Sequence, residues 1–297
     1  LIQRRFTNDL SGLEPGAVRY GAFVNPDGLM IDEGNVYKHA DDRFWVMINT
    51  ADLEDWFRES SNDLDAEIVN RTEDLPMVAA CGPTSRELLQ GLTDADLSSL
   101  RYFHFWPDPI EVAGVQATLL RTSFSGELGF ELVTDPASMP RLWEALVQSG
   151  GVPFGITAIE LARTEAGLVI MAEDYEPGVT SPVDLSMDRF IKPGTQCVGL
   201  GALTEALASP AKRFKTLKIE GDAVPEAGAL VLRDGEEVGV VTSPASSPRL
   251  GTIALAILQA DASDEGTALD VAVGDDTAAA EVDVLSLHDP DKRKPRS

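Results

Sequence analysis

Apolar and polar positions alternate through "RYGAFVNPDGLMIDEGNVYK" (residues 19–38), on both sides of Asn25-Pro26-Asp27-Gly28. A period of two around such a tetrapeptide predicts a β-hairpin. "RFWVMIN" (43–49) predicts a further strand, and "TADLEDWFRESSND" (50–63) a surface helix with Thr50 as its cap. "AEIVNRTEDLPMVAACG" (66–82) is strand-like, and "PTSRELLQGL" (83–92) starts a helix near Pro83. "VAGVQATLLRTSFSGELGFELV" (112–133) has the texture of a hairpin region. Two helices follow, in "DPASMPRLWEALVQSG" (135–150), closed by glycine, and "PFGITAIELARTEAGLVI" (153–170). Near residue 205 the texture changes. "LASPAKRF" (207–214) reads as a linker, and beyond it come only short strands and turns up to a polar tail, "HDPDKRKPRS", expected to fray. The fold class is therefore α+β, with a mixed domain over 1–205 and an all-β barrel or sandwich over 206–297.

Composition narrows the class. With 297 residues, 43% of them hydrophobic, the chain can bury cores for two domains. No uninterrupted apolar run is long enough for a membrane span. The opening "LIQRRFTNDL" lacks the apolar region of a signal peptide and reads as helix interior, with further residues expected ahead of Leu1. Forty-nine acids against twenty-four bases give a net charge of −25, which disfavours nucleic acid. The bases comprise 17 Arg and only 7 Lys. Dispersed acid with little lysine suits high salt, where screening removes self-repulsion, so a halophilic source is expected. Two cysteines far apart and three histidines give neither a disulfide framework nor a metal-ligand set, as in a reducing cytoplasm.

Three residue groups carry possible chemistry. In "LMIDE", Asp32 and Glu33 follow apolar neighbours on opposite strand faces, where desolvation would raise a carboxyl pKa. Arg163 lies on a helical stripe with Ile156, Ile159, Ala166 and Ile170. A guanidinium there needs an anionic partner: a protein carboxylate such as Glu131 or Glu165, or an acidic ligand. Glu131, between Phe130 and Leu132, either pairs with an internal arginine or offers two acceptor oxygens to the two-donor edge of a heterocycle. Gly126 and Gly129 would let a flat ring approach the backbone. There is no dinucleotide or phosphate-loop motif, no serine elbow and no metal box. His39 and His104 read as packing or surface residues.

Four stretches resemble the glycine-cleavage T-protein (aminomethyltransferase) family. They are "TNDLSGLEPGAVRYGAFVNPDGLMIDEGNVYK", "RTSFSGELGFEL", "ELARTEAGLVIMAEDY" and "VTSPASSPRLGTIALAIL", in family order across nearly the whole chain. The resemblance implies the folate-binding aminomethyltransferase fold, two ferredoxin-like subdomains plus a C-terminal antiparallel β-barrel, and tetrahydrofolate as cofactor. It implies that Glu131 holds the pterin, that Arg163 belongs to the folate-site helix, and that Tyr20 and Tyr37 line the pocket. Asp32 and Glu33 fall on the family's acidic pair, with Glu33 where T-proteins carry the aspartate near the folate nitrogen. Phe124 and Met171 fall on pocket positions usually held by tyrosine.

The implied activity is transfer of a methyl or aminomethyl group from a small amine, sulfonium or ether donor to tetrahydrofolate. "ADDRFWVMINTADLEDWF" and "SPVDLSMDRFI" resemble demethylase relatives more closely. A lipoyl carrier protein, commonly acidic, is not the favoured partner of so acidic a chain. Two other readings are a folate-binding accessory protein of iron–sulfur assembly and the folate subunit of an amine-oxidising system. No nucleic acid and no membrane is expected as partner.

Overall fold

A computed structural model describes residues 1–297. β1 (Val18–Val24), β2 (Met30–Ala40) and β3 (Arg43–Ile48) form an antiparallel three-stranded sheet in that order. The β1–β2 turn closes on Asn25, whose Oδ1 accepts from the amides of Asp27 and Leu29, while Gly28 takes φ +75°. Ahead of the sheet, residues 2–4 make a single 3-10 turn rather than the expected helix interior.

The surface helix is shorter than its pattern: α1 spans Glu54–Glu59 and starts after Leu53 without a side-chain cap. Thr50 does not cap it: its hydroxyl is turned to Met171 Sδ (3.6 Å) and its amide to Asp32 (2.8 Å). Of the stretch 66–82, only β4 (Met77–Cys81) joins a sheet. Asn70 folds the preceding segment into a turn by accepting from the amide and hydroxyl of Thr72. α2 (Ser85–Gln90), β5 (Ile110–Val112), β6 (Val115–Leu120) and β7 (Gly129–Val133) follow. The second sheet has the order β4-β7-β6-β5, all antiparallel. α3 (Met139–Gln148) buries Leu142 and Leu146 in the same core as Phe130 and Leu132.

α4 (Ile156–Glu165) departs from its stripe. Ile156 is 77% exposed, whereas Arg163 is 1% exposed. The helix stops before Ile170 because Gly167 adopts φ +63° under the Leu285 carbonyl, 1.9 Å from where a Cβ would stand. α5 (Leu200–Ala208) runs through the expected boundary at 205, and strand pairing resumes at Lys212. From there β8 (Lys212–Ile219), β9 (Leu230–Arg233), β10 (Glu236–Ser247), β11 (Gly251–Gln259), β12 (Ala268–Val273) and β13 (Asp276–Asp283) close into a barrel, order β10-β11-β8-β13-β12-β9. Its interior is aliphatic, with Leu217, Val231, Ala254 and Val271 fully buried.

Barrel and mixed region meet at a buried ion pair. Asp174 accepts from Arg163 Nη1 (2.6 Å), Thr242 Oγ1 (2.5 Å), Ser243 Oγ (2.6 Å) and the Ile170 amide (2.9 Å). Arg163 also donates to Glu160 (2.7 Å) and Ser243 (2.8 Å). Thr242 and Ser243 lie where the β10–β11 register shifts. Removing the acid would leave the buried guanidinium with only the partly exposed Glu160 as counter-charge, a loss on the order of 3 kcal/mol. Asp174→Ala should therefore lower the urea midpoint by a corresponding amount, and molar salt should not restore it because the pair is out of water's reach. Unchanged unfolding would show that the knot does not hold the two parts together.

Candidate functional site

Alternation along β2 puts Glu33, Asn35 and Tyr37 on one face. Tyr20 of β1 stands opposite Asn35 in the register. Asp32 turns the other way and is fully buried. Its Oδ1 accepts from the Glu33 amide (2.7 Å) and Asn49 Nδ2 (2.9 Å), and its Oδ2 from the Thr50 amide (2.8 Å). With its oxygens so occupied, Asp32 is an anchor that ties β2 to the segment after β3.

Glu33 is different. It is 7% exposed, and its Oε1 accepts from Asn49 Nδ2 at 2.9 Å, with the Tyr20 hydroxyl nearby. Burial pushes its pKa up, the bonds from Asn49 and Tyr20 hold it back in part, and the charge of Asp32 adds a further push, leaving it at about 6. A carboxyl poised there can hold or release a proton near neutrality. The turn after α4 closes over this pair. Met171 Sδ lies 3.6 Å from the Thr50 hydroxyl, and Met171 bridges to Tyr175. The Tyr175 hydroxyl sits beside Asn49 and Asp32 but is enclosed without a partner in bonding geometry.

Glu131 projects from β7 between two fully buried neighbours, Phe130 and Leu132. One oxygen accepts from the Thr122 hydroxyl; the other has no protein donor, and no base pairs with it. Burial raises its pKa, opposed by the Thr122 bond. Tyr37, fully buried edge-on against Phe105, brings its hydroxyl to 3.4 Å from Thr122 Oγ1. The two strand systems thus join through Tyr37 and Thr122. Tyr20 packs edge-on against Phe190 with ring centroids 4.9 Å apart. Phe124 lies half-buried in the loop that enters β7.

Two expectations change here. Arg163 meets neither Glu131 nor Glu165 nor open space: its three nitrogens are engaged by Glu160, Asp174, Ser243 and the Leu168 carbonyl. Glu165 instead accepts from Ser247 and Arg249. The glycines of the β6–β7 turn serve protein packing rather than ligand approach. A Cβ on Gly126 would stand 2.5 Å from that of Ala166, and one on Gly129 2.7 Å from the Ser123 side chain.

The terminal segment is not frayed. Pro295 is buried, Arg121 Nη2 holds the Ser297 carbonyl at 2.5 Å, and Lys292 Nζ holds that of Ala166 at 2.7 Å. This brings Lys292 and Arg296 together with Arg189, and burial, with repulsion from Arg189 and Arg296, lowers the Lys292 pKa to about 8. Arg189 and Arg296 also act on Tyr102, which in turn feels Glu131. No sequence motif marked this group of cations, nor Asn35. His39 packs against Trp45 and Phe105, and burial takes its pKa down to about 4. No cluster of three or more metal-ligating side chains exists. No helix is long and apolar enough to cross a membrane.

Residues 1–195 match the family described as GCVT N-terminal domain, and residues 212–289 the Glycine cleavage T-protein C-terminal barrel domain. An aminomethyltransferase of Thermotoga petrophila is 33% identical over 260 residues, covering 85% of this chain and 71% of the relative. One from Streptomyces avermitilis is 34% identical, covering 98% and 78%. The crystal structure of glycine cleavage system aminomethyltransferase T from Bartonella henselae superposes with a TM-score of 0.83 at 22% identity, over 96% of this chain and 80% of that one, which speaks for the fold alone.

The raised pKa of Glu33 has a stability consequence. Because the folded state favours the protonated acid, its contribution is present below about 4.5 and is lost as pH rises through about 6. Across that interval the protein should lose on the order of 2 kcal/mol relative to Glu33→Gln, measured by urea unfolding at stepped pH. Parallel profiles for the two proteins would contradict this environment for Glu33.

Proposed function

The chain belongs to the glycine-cleavage T-protein (aminomethyltransferase) family, and on that premise we propose that it transfers a one-carbon unit, as an aminomethyl group, to tetrahydrofolate. The observation that carries the reading is Glu131: a carboxylate in the middle of a buried strand, unpaired with any base, with one oxygen left for a ligand. Such an acceptor suits the paired N–H donors of a pterin edge. The enclosed, unpartnered Asn35 Oδ1 and Tyr175 hydroxyl also suit a polar ring. Arg189, Lys292 and Arg296 suit the carboxylates at the other end of a folate. The cofactor supplies the nucleophilic nitrogen that accepts the carbon.

In this reading Tyr20 and Tyr37 frame the ring, and Phe124 and Met171 add apolar wall. Glu33 exchanges a proton with the reacting amine or stabilises positive charge as it develops, while Asp32 and Asn49 hold Glu33 in place. Arg163 acts at a distance, by fixing the turn that carries Met171 and Tyr175. The folate lies in the 1–205 part, with the 206–297 barrel and its tail closing one side, and the enzyme works in the cytoplasm.

Family membership makes an aminomethyl group on a lipoyl carrier the first donor to test, against the charge argument that set such a carrier aside. At −25 the encounter with an acidic carrier should be slow in dilute buffer and faster in molar salt. Methylene-tetrahydrofolate formed with a lipoyl carrier would support aminomethyl transfer. Methyl-tetrahydrofolate formed from a sulfonium or ether would support a demethylase instead.

Glu131→Ala should weaken tetrahydrofolate binding, measured by calorimetry, by about a hundredfold or more. Wild-type affinity in that variant would remove the assignment.

A further inference from the structure

A second cavity, of about 470 Å³, opens beside Arg5 and shares no residue with the site of Glu33 and Glu131. It lies between the first turn (Arg4, Arg5), the β1–β2 turn (Pro26), the segment after α1 (Asp63) and the loop before α5 (Gln196, Val198). Three arginines of the chain are buried: Arg5, Arg121 and Arg163. Arg163 meets Asp174, and Arg121 donates to the carbonyls of Leu100, Pro295 and Ser297.

Arg5 has no such partner. It is 9% exposed, pairs with no carboxylate, and its side chain makes no hydrogen bond. Its guanidinium carbon stands over the Trp56 ring, 4.4 Å from the centroid. Nε is enclosed, whereas the two terminal nitrogens reach the cavity. A guanidinium cannot shed its proton, and burying one without an anion is costly. With 49 acids in the chain, the lack of a partner is no shortage of carboxylates.

The lining sets the kind of anion. Arg4 is already neutralised by both oxygens of Asp63, at 2.5 and 2.8 Å. One positive charge is therefore left uncompensated. A carboxylate balances it and offers two oxygens to the planar fork of Arg5. A phosphate dianion would set its second charge against Asp63. Pro26 and Val198 add apolar wall, and the exposed Gln196 can add an N–H at the rim. We propose that Arg5 anchors a second binding site, which takes a small monocarboxylate with an apolar tail.

Titration of the full chain with butyrate, at neutral pH and constant ionic strength, tests this. Tryptophan fluorescence reports it, since an anion on Arg5 changes the charge over Trp56. Butyrate should saturate with a Kd of about 1 mM. Inorganic phosphate should bind about fivefold more weakly or worse, and butylamine should not bind. Arg5→Leu should lose about tenfold or more in butyrate affinity while leaving tetrahydrofolate binding unchanged, with thermal melts to establish that it folds. If leucine compromises folding, Arg5→Lys takes its place; it keeps the charge, loses the fork, and should bind butyrate about threefold or more weakly. Wild type that does not saturate, or a folded Arg5 variant that binds butyrate as wild type does, overturns the site. Phosphate bound as tightly as butyrate overturns the monocarboxylate class. Tetrahydrofolate affinity lost together with butyrate affinity overturns the separation of the two sites.

Discussion

The Asp174 carboxylate, with Arg163 and the hydroxyls of Thr242 and Ser243, is the constraint on which the site's architecture depends. A buried ion pair is rarely the cheapest way to fill a core, since apolar residues of similar volume often do as well. Its distinctive property is directional. Apolar packing between α4 and the barrel would tolerate a sliding contact, whereas four donors converging on two oxygens define one arrangement. Because Asp174 also takes the Ile170 amide, the same arrangement shapes the turn from which Met171 and Tyr175 reach the acidic pair. The barrel is thus coupled to the chemistry without supplying a reacting group.

Three acids sit in or near the site, and their surroundings separate their roles. Asp32 is covered by amide donors and serves as an anchor. Glu33 is buried with one side-chain donor, Asn49, and burial raises its pKa to about 6. Glu131 is half satisfied by a hydroxyl and retains an acceptor for a ligand. Carboxylates of one chemistry divide into support, proton exchange and binding through burial and donor count alone.

Several features were legible in the chain. The Asn25–Gly28 turn and the period of two fixed the first hairpin, because local turn chemistry and alternation agree there. The same alternation set Glu33 and Asp32 on opposite faces of the strand. The short strands beyond Lys212 pointed to a barrel. Other features were misread for physical reasons. Thr50 has the composition of a helix cap, yet its hydroxyl turns to Met171 and its amide to Asp32, partners far along the chain that no local rule sees. Gly126 and Gly129 looked like room for a ligand, but the space is filled by Ala166 and Ser123. The polar terminal segment had every mark of a loose end, and Arg121 and Pro295 hold it in place.

By itself, then, the sequence determined which strands form, which side chains share a face, and which carboxylates lie among apolar neighbours, since these follow from covalent geometry and the period of each element. Tertiary structure alone decided what each buried polar group meets: Asp174 for Arg163, Asn49 for Glu33, Thr122 and no base for Glu131, nothing for Asn35 Oδ1. The physical reason is that desolvation and hydrogen bonding depend on groups brought together from distant parts of the chain, and a linear pattern carries no record of that distance.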